Sequence, residues 1–147
     1  MNTVKQVLIL DDNPSNLKLL ALALTSADST IHLATTGREA LTIMETQAID
    51  LALLDVELPD ANGLDLASKI RAQYPESVII VLSARDTHTE FDQACASGVD
   101  AYVVKPFSLP DVLNLIRQLE TNAQRSASEI LILPNRGGFM SYRCSQR

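Results

Sequence analysis

Three short stretches of the chain are apolar at every position: Val7–Leu10, Leu51–Leu54 and Val78–Leu82. A strand with one face in water alternates between apolar and polar residues. Runs without alternation read as strands covered on both faces, which is the situation inside a parallel sheet flanked by helices. Each run stops at a polar residue: Asp11-Asp12, Asp55 and Ser83 in turn. Ala101–Val104 reads as a further buried strand and runs into Lys105-Pro106. Thr30–Thr35 instead alternates, with Ile31 and Leu33 against His32, and suits an edge.

Helical patterns lie between these strands. Pro14 behind an Asn13 cap opens a helix carrying Leu17, Leu20, Ala21 and Leu24. Thr36-Gly-Arg-Glu39 has capping-box spacing and leads into Ala40, Leu41, Ile43 and Met44. Leu64–Tyr74 reads as a helix through Leu66, Ala67 and Ile70, stopped before Pro75. Asp86–Ser97 is a weaker helix with Phe91, Ala94 and Cys95 inward and Gly98 as its stop; Thr87-His-Thr-Glu90 is its polar start. Ser108-Leu-Pro-Asp111 begins the last helix, whose stripe is Val112, Leu113, Ile116 and Leu119.

Strict alternation of strands and helices with short loops predicts an α/β fold, a five-stranded parallel sheet with helices on both faces. The most uniformly apolar strands belong in the middle, consistent with the order 2-1-3-4-5 of the flavodoxin-like (βα)5 fold. No repeat or low-complexity segment interrupts it.

With 147 residues, 46% of them hydrophobic and 20% charged, the chain is expected to fold as one domain of ordinary size. Its net charge is −6, and four of its basic residues (Arg125, Arg136, Arg143, Arg147) lie past Thr121 beside one acid, Glu129, so the body is more acidic still. Such a body should repel nucleic acid and anionic lipid, so no direct nucleic-acid contact and no membrane contact is expected. The N-terminal apolar run is too short for a signal peptide or a span. Cys95 and Cys144 form no recognisable framework, and a reducing cytoplasm suits them best.

In a parallel sheet all strand ends face one way, so Asp11, Asp12, Asp55, Ser83 and Lys105 should share one cleft. Each has an ordinary alternative: Asp12 or Asn13 as a helix cap, Asp55 as a solvated strand end, Ser83 as a satisfied polar terminus, Lys105 as a surface charge. Their coincidence at four strand ends favours a joint role. Carboxylates crowded together must take up protons or bind a cation. Hard oxygen ligands with room for water suit Mg²⁺, and the backbone carbonyl of Glu57 is a further candidate ligand. An Asp nucleophile beside a cation, an ammonium and a hydroxyl is equipped for phosphoryl transfer.

In combination and order, Asp11-Asp12, Leu-Leu-Asp55-Val-Glu-Leu-Pro-Asp-Ala-Asn-Gly63, Val-Leu-Ser83-Ala and Val-Lys105-Pro106-Phe resemble the receiver domain of bacterial two-component response regulators, of the chemotaxis-regulator-like kind. The resemblance covers residues 4 to about 121, giving a receiver domain over 1–121 and a linker or tail of unknown role over 122–147. It implies that Asp55 accepts a phosphoryl group from a sensor histidine kinase or phosphotransfer protein. Asp12 and Asp55 would bind Mg²⁺ directly and Asp11 through water. Ser83 and Lys105 would hold phosphoryl oxygens, and Tyr102, otherwise an amphipathic edge-strand residue, would turn inward as the Ser83 loop moves. The Lys105–Pro106 bond is cis in that family. The implied readout is the surface of the fourth helix, fifth strand and fifth helix, toward a downstream protein target not identified by the sequence or through a phosphorylation-dependent dimer. Such a domain is not a conventional enzyme, although it assists its own phosphoryl transfer and autodephosphorylation.

Glu57 and Arg85, each two residues past a site residue, are candidate modulators, as an ion pair across the entrance or through repulsion of attacking groups by Glu57. His32 and His88 lack metal-ligand spacing. Rival readings are a constitutive, phosphorylation-independent interaction module and the regulatory domain of a longer multidomain protein. A phosphatase with an aspartyl nucleophile is disfavoured because Glu57 stands where such enzymes carry a second Asp. A flavin or dinucleotide binder lacks its Gly-rich phosphate loop. In the tail, Thr121–Ser128 has linker composition, and Glu129–Pro134 holds enough apolar residues for a short strand or docking segment.

Overall fold

A computed structural model describes residues 4–121, 128–135 and 138–144. Strands β1 (Lys5–Leu10), β2 (Ser29–Ala34), β3 (Leu51–Asp55), β4 (Val78–Ser83) and β5 (Ala101–Val104) alternate with helices α1 (Pro14–Leu24), α2 (Gly37–Thr46), α3 (Gly63–Gln73), α4 (His88–Ala96) and α5 (Leu109–Thr121). Two more strands follow, β6 (Glu129–Leu133) and β7 (Met140–Arg143). The sheet order is β2-β1-β3-β4-β5-β6-β7. The predicted parallel order 2-1-3-4-5 is present, and the sheet continues past β5.

The unbroken apolar runs have a direct physical reason. Successive side chains point to opposite faces, and both faces are covered. Leu8, Leu10, Ala52, Leu54, Ile79 and Val81 pack under α2, α3 and α4. Val7, Ile9, Leu51, Leu53, Ile80 and Leu82 pack under α1 and α5. On the edge strand β2 the alternation holds only in part. Leu33, expected inward with Ile31, is 46% exposed, because an edge strand has one neighbour and its outer side chains reach past the flanking helix. The caps read from sequence are in place for α1 and α2: Asn13 accepts from the Ser15 and Asn16 amides and Thr36 from the Glu39 amide.

Past α5 the chain re-enters the sheet. β6 pairs parallel to β5, with Tyr102 opposite Ile132, and β7 returns antiparallel to β6. α5 thus serves as the crossover of one more parallel unit. Ile130 and Ile132 join the core on the α4 face, and Leu131 and Leu133 lie on the α5 face.

Two expectations change here. The cysteines do form a framework: Cys144, just past β7, is disulfide-bonded to Cys95 on α4, with Cα atoms 5.7 Å apart. The hairpin brings together residues 49 apart, a pairing that no local spacing announces. The α4, β5 and α5 surface assigned to readout is also not open as expected, because β6 occupies the edge of β5. The linker reading of Thr121–Ser128 falls mostly on residues 122–127, outside the described residues, as do residues 136–137 and 145–147. No helix among the described residues is long and apolar enough to cross a membrane.

Candidate functional site

The strand ends converge at one mouth. Asp11 follows β1, and its carboxylate is fixed from α1: Oδ1 accepts from the Asn13 amide at 2.9 Å and Oδ2 from Asn16 Nδ2 at 3.3 Å. Because Asn13 is the cap, Asp12 is spared that task and stands exposed beside the cleft. Asp55 closes β3 and is 3% exposed. One carboxylate oxygen from each of Asp11, Asp12 and Asp55 lies within 4.8 Å of the others. That spacing lets one small cation touch several of them, and the all-oxygen donor set suits a hard divalent ion.

Lys105, one residue past β5, reaches over this cluster. Its ammonium is 3.1 Å from Asp55 Oδ2 and 3.7 Å from Asp11 Oδ2. The Lys105–Pro106 peptide bond is cis. Burial pushes the Asp55 carboxyl up to about 6; the hydrogen bond and charge of Lys105 pull it down, while the Asp11 and Glu57 carboxylates add to the rise. At neutral pH Asp55 is therefore mostly ionised, yet poorly solvated.

The loop behind Asp55 is built around a close approach. Gly63 packs so tightly that an added Cβ would stand 2.1 Å from the Asp55 carbonyl oxygen. Its amide donates to the Val56 carbonyl at 2.8 Å. Asp60 in the same loop accepts from the Gly37 and Arg38 amides, tying the loop to the start of α2.

Ser83 ends β4 and is fully buried. Its hydroxyl lies 3.0 Å from both carboxylate oxygens of Glu57 and accepts from the Arg85 amide at 3.1 Å. Glu57 and Arg85 do not meet as an ion pair: the guanidinium of Arg85 instead lies 3.9 Å from Glu90 Oε1. Tyr102 is 1% exposed, its ring edge-on to Phe91 at 5.0 Å, and its hydroxyl donates to the Arg85 carbonyl at 2.6 Å. Burial raises the Tyr102 hydroxyl above its ordinary range. His32 pairs with Gln6 on the neighbouring strand, and His88 stacks edge-on with Tyr142; neither belongs to the mouth.

Asn16, Asp60 and Glu90 were not singled out from the sequence. Asn16 sits one turn behind the Asn13 cap on the side facing Asp11, so a placed helix start would have found it. Asp60 and Glu90 act through loop geometry that residue spacing does not encode.

The family model of the response regulator receiver domain matches residues 7–117. Among curated proteins, the transcriptional regulatory protein KdpE of Mycobacterium tuberculosis is 36% identical over 111 residues, 76% of this chain and 49% of its own length. The chain spans about half the length of the curated relatives it matches. Among solved structures, a CheY-like response regulator receiver domain protein from Methanospirillum hungatei superimposes with a TM-score of 0.74 at 28% identity, covering 80% of this chain and 94% of that one. A response regulator protein from Burkholderia pseudomallei with a phosphorylated aspartic acid and a calcium ion gives a TM-score of 0.69 at 25% identity, over 80% and 73% of the two chains. With its motifs brought to one mouth of the expected sheet, this chain belongs to the response regulator receiver domain family.

Proposed function

We propose that the chain is a phosphorylation-controlled signalling domain whose acceptor is Asp55. The observation that carries this reading is a buried carboxylate with an ammonium at 3.1 Å and two further carboxylates close enough to share a cation. An Asp55 oxygen attacks the phosphorus of a phosphohistidine on a sensor histidine kinase or phosphotransfer protein. The P–N bond breaks, its electron pair stays on the imidazole nitrogen, and that nitrogen takes up a proton. Asp11, Asp12 and Asp55, with the Glu57 carbonyl, would hold Mg²⁺; when bound, it neutralises the carboxylates and the charge on the transferring group. Lys105 stays in place as the second positive charge on the phosphoryl oxygens. The Burkholderia protein, with its phosphorylated aspartic acid and calcium ion, supports an aspartyl acceptor in this fold.

An apolar surface adjoins this mouth and suits a docked phosphodonor helix. A hollow of about 400 Å³ lies between α1 and the Lys105 loop, lined by Leu19, Leu20, Pro106 and Phe107 among others. Leu19 and Leu22 on α1 are 51% and 70% exposed.

On phosphorylation the Ser83 hydroxyl exchanges its Glu57 partner for a phosphoryl oxygen. This biases the Ser83–Arg85 loop, and with it Tyr102 and α4, toward one of two arrangements. Glu57 and Arg85 are modulators in this scheme: Glu57 competes for Ser83, and Arg85 joins the loop to α4 through Glu90. The domain assists phosphoryl transfer to itself and its hydrolysis, and works in the cytoplasm. Relatives named as transcriptional regulators, about one and a half times as long, support a regulatory role within a longer protein; the expectation of no nucleic-acid contact then concerns this acidic segment alone.

A second reading, a constitutive interaction module, is favoured by one observation: Tyr102 is already buried and its hydroxyl engaged. Intact-mass measurement after incubation with Mg²⁺ and acetyl phosphate separates the two. One phosphoryl adduct that disappears with chelator is expected; no adduct would leave the constitutive module.

A further inference from the structure

We propose that the β6–β7 hairpin is a thiol-locked clasp on the α4–β5 face. In this role it would be released by a dithiol reductant and shut by disulfide formation. The inference rests on the reading of that face as the domain's output.

Three attachments hold the hairpin. The first is the sheet itself, in which β6 pairs with Ala101–Val103 of β5 and buries Ile130 and Ile132. The second is Tyr142 on β7. Its hydroxyl donates to Asp92 Oδ1 at 2.7 Å, and its ring stands edge-on to Phe91 at 5.3 Å and His88 at 5.5 Å, all on α4. The third is the Cys95–Cys144 bond, which ties the end of the hairpin covalently to the same helix.

Beyond its antiparallel pairing with β6, β7 has few side-chain anchors among the described residues. Met140, Ser141 and Arg143 are exposed, with Met140 at 52%. Its docking is therefore the part of the fold most dependent on a cross-link. Opening costs the loop-closure advantage that the disulfide confers across 49 residues.

The clasp also touches the switch. Tyr142 meets Phe91, Phe91 meets Tyr102, and Tyr102 holds the Arg85 carbonyl in the loop of Ser83. A closed hairpin thus backs the ring that keeps Tyr102 inward, while an open one bares the β5 edge and the Phe91 side of α4.

The redox step balances. A thiolate of the dithiol attacks the sulfur of Cys144, the less deeply buried of the two residues (8% exposed against 1% for Cys95), and the Cys95 thiolate leaves. The reductant's second thiol then closes its own disulfide and releases Cys144. Two protein thiols form and one dithiol is oxidised. In a reducing compartment such a bond is transient, which suits a regulatory latch better than a permanent staple.

The test is peptide-resolved amide hydrogen exchange on the full chain without any phosphodonor, before and after dithiothreitol, with Cys144→Ser alongside. After reduction, peptides covering 129–133, 140–144 and 101–104 should exchange at least about tenfold faster, while those covering 7–10 and 51–54 stay unchanged. Alkylation of the unreduced, denatured chain should find no free thiol. Unchanged exchange everywhere, uniform acceleration across the sheet, or two alkylated cysteines before reduction would each overturn the clasp. A clasp that opens in a chain that takes no phosphoryl group would sink the proposed function and leave the clasp standing. Should Cys144→Ser fail to fold, dithiothreitol on the parent chain still decides the matter.

Discussion

The two ends of the sheet use the same residue type to opposite effect. At the end where strands begin, Asp50 accepts from the Gln6 amide at 2.7 Å, and Asp100 accepts from the Ile79 amide and from Arg71, both at 2.8 Å. Arg71 also donates to the carbonyls of Pro75, Ser77 and Gly98, stitching α3 to the turns around β4 and β5. These acids are satisfied in place. At the other end Asp11, Asp12 and Asp55 crowd together, and Lys105 pairs with Asp11 and Asp55. Acids at the first end hold the fold together, whereas acids at the second store a demand for positive charge, which a cation can answer.

The sharpest way to break this contrast is to remove one acid from each end. Asp100→Ala leaves Arg71 and the Ile79 amide without their shared partner and should cost about 3 kcal/mol in urea unfolding. Asp55→Asn should do the reverse. In chelator at pH 7 it should stabilise the chain by up to about 3 kcal/mol, because it removes a charge that is buried at a cost. Equal losses from both substitutions would erase the distinction.

A pH series sharpens the same point. Asp55 sits at about 6 in the folded chain, above its ordinary value of 3.8, so the folded state holds the extra proton between those values. Stability attributable to this group is therefore full below about pH 4 and is lost as pH rises through 6, by about 3 kcal/mol in all. That contribution to the slope over pH 4 to 6 should be absent in Asp55→Asn.

Cation binding should narrow the difference between the ends. Mg²⁺ at a hundred times its dissociation constant should stabilise the parent by about 2.7 kcal/mol. Thermal melts of Asp12→Asn should show a much smaller gain, and a gain equal to the parent's would place the ion elsewhere.

The smallest effect concerns the Ser83 hydroxyl. Removing its competitor in Glu57→Ala should change phosphoryl lifetime by about threefold to tenfold, roughly the net strength of one ordinary hydrogen bond. A lifetime equal to the parent's would make the Glu57–Ser83 bond incidental.

The site was legible in the sequence because its residues sit where local patterns end. Asp11, Asp55, Ser83 and Lys105 each follow a run of apolar residues. A parallel sheet turns that position in sequence into a position in space. Asn13 likewise announced α1, and Thr36 announced α2. What stayed hidden depends on nonlocal choices. Glu129–Pro134 reads as a short strand or docking segment, but its own residues do not say that it will pair with β5 and cover the expected readout edge. Cys95 and Cys144 meet only because the hairpin folds back. Glu57 could have faced Arg85 or Ser83; loop geometry chose Ser83, and Arg85 turned toward Glu90. Leu33 kept the period of an inward residue at a place where the sheet offers no cover.

The acid that closes β3, buried and crowded by two other carboxylates, is the one expected to take the phosphoryl group. Tandem mass spectrometry of the acetyl phosphate-treated chain, digested at low pH to preserve the acyl phosphate, locates the modified residue. One modified position, Asp55, is expected, and none in Asp55→Asn. Phosphate found on Asp12 or Ser83, or an adduct that persists in Asp55→Asn, would contradict it.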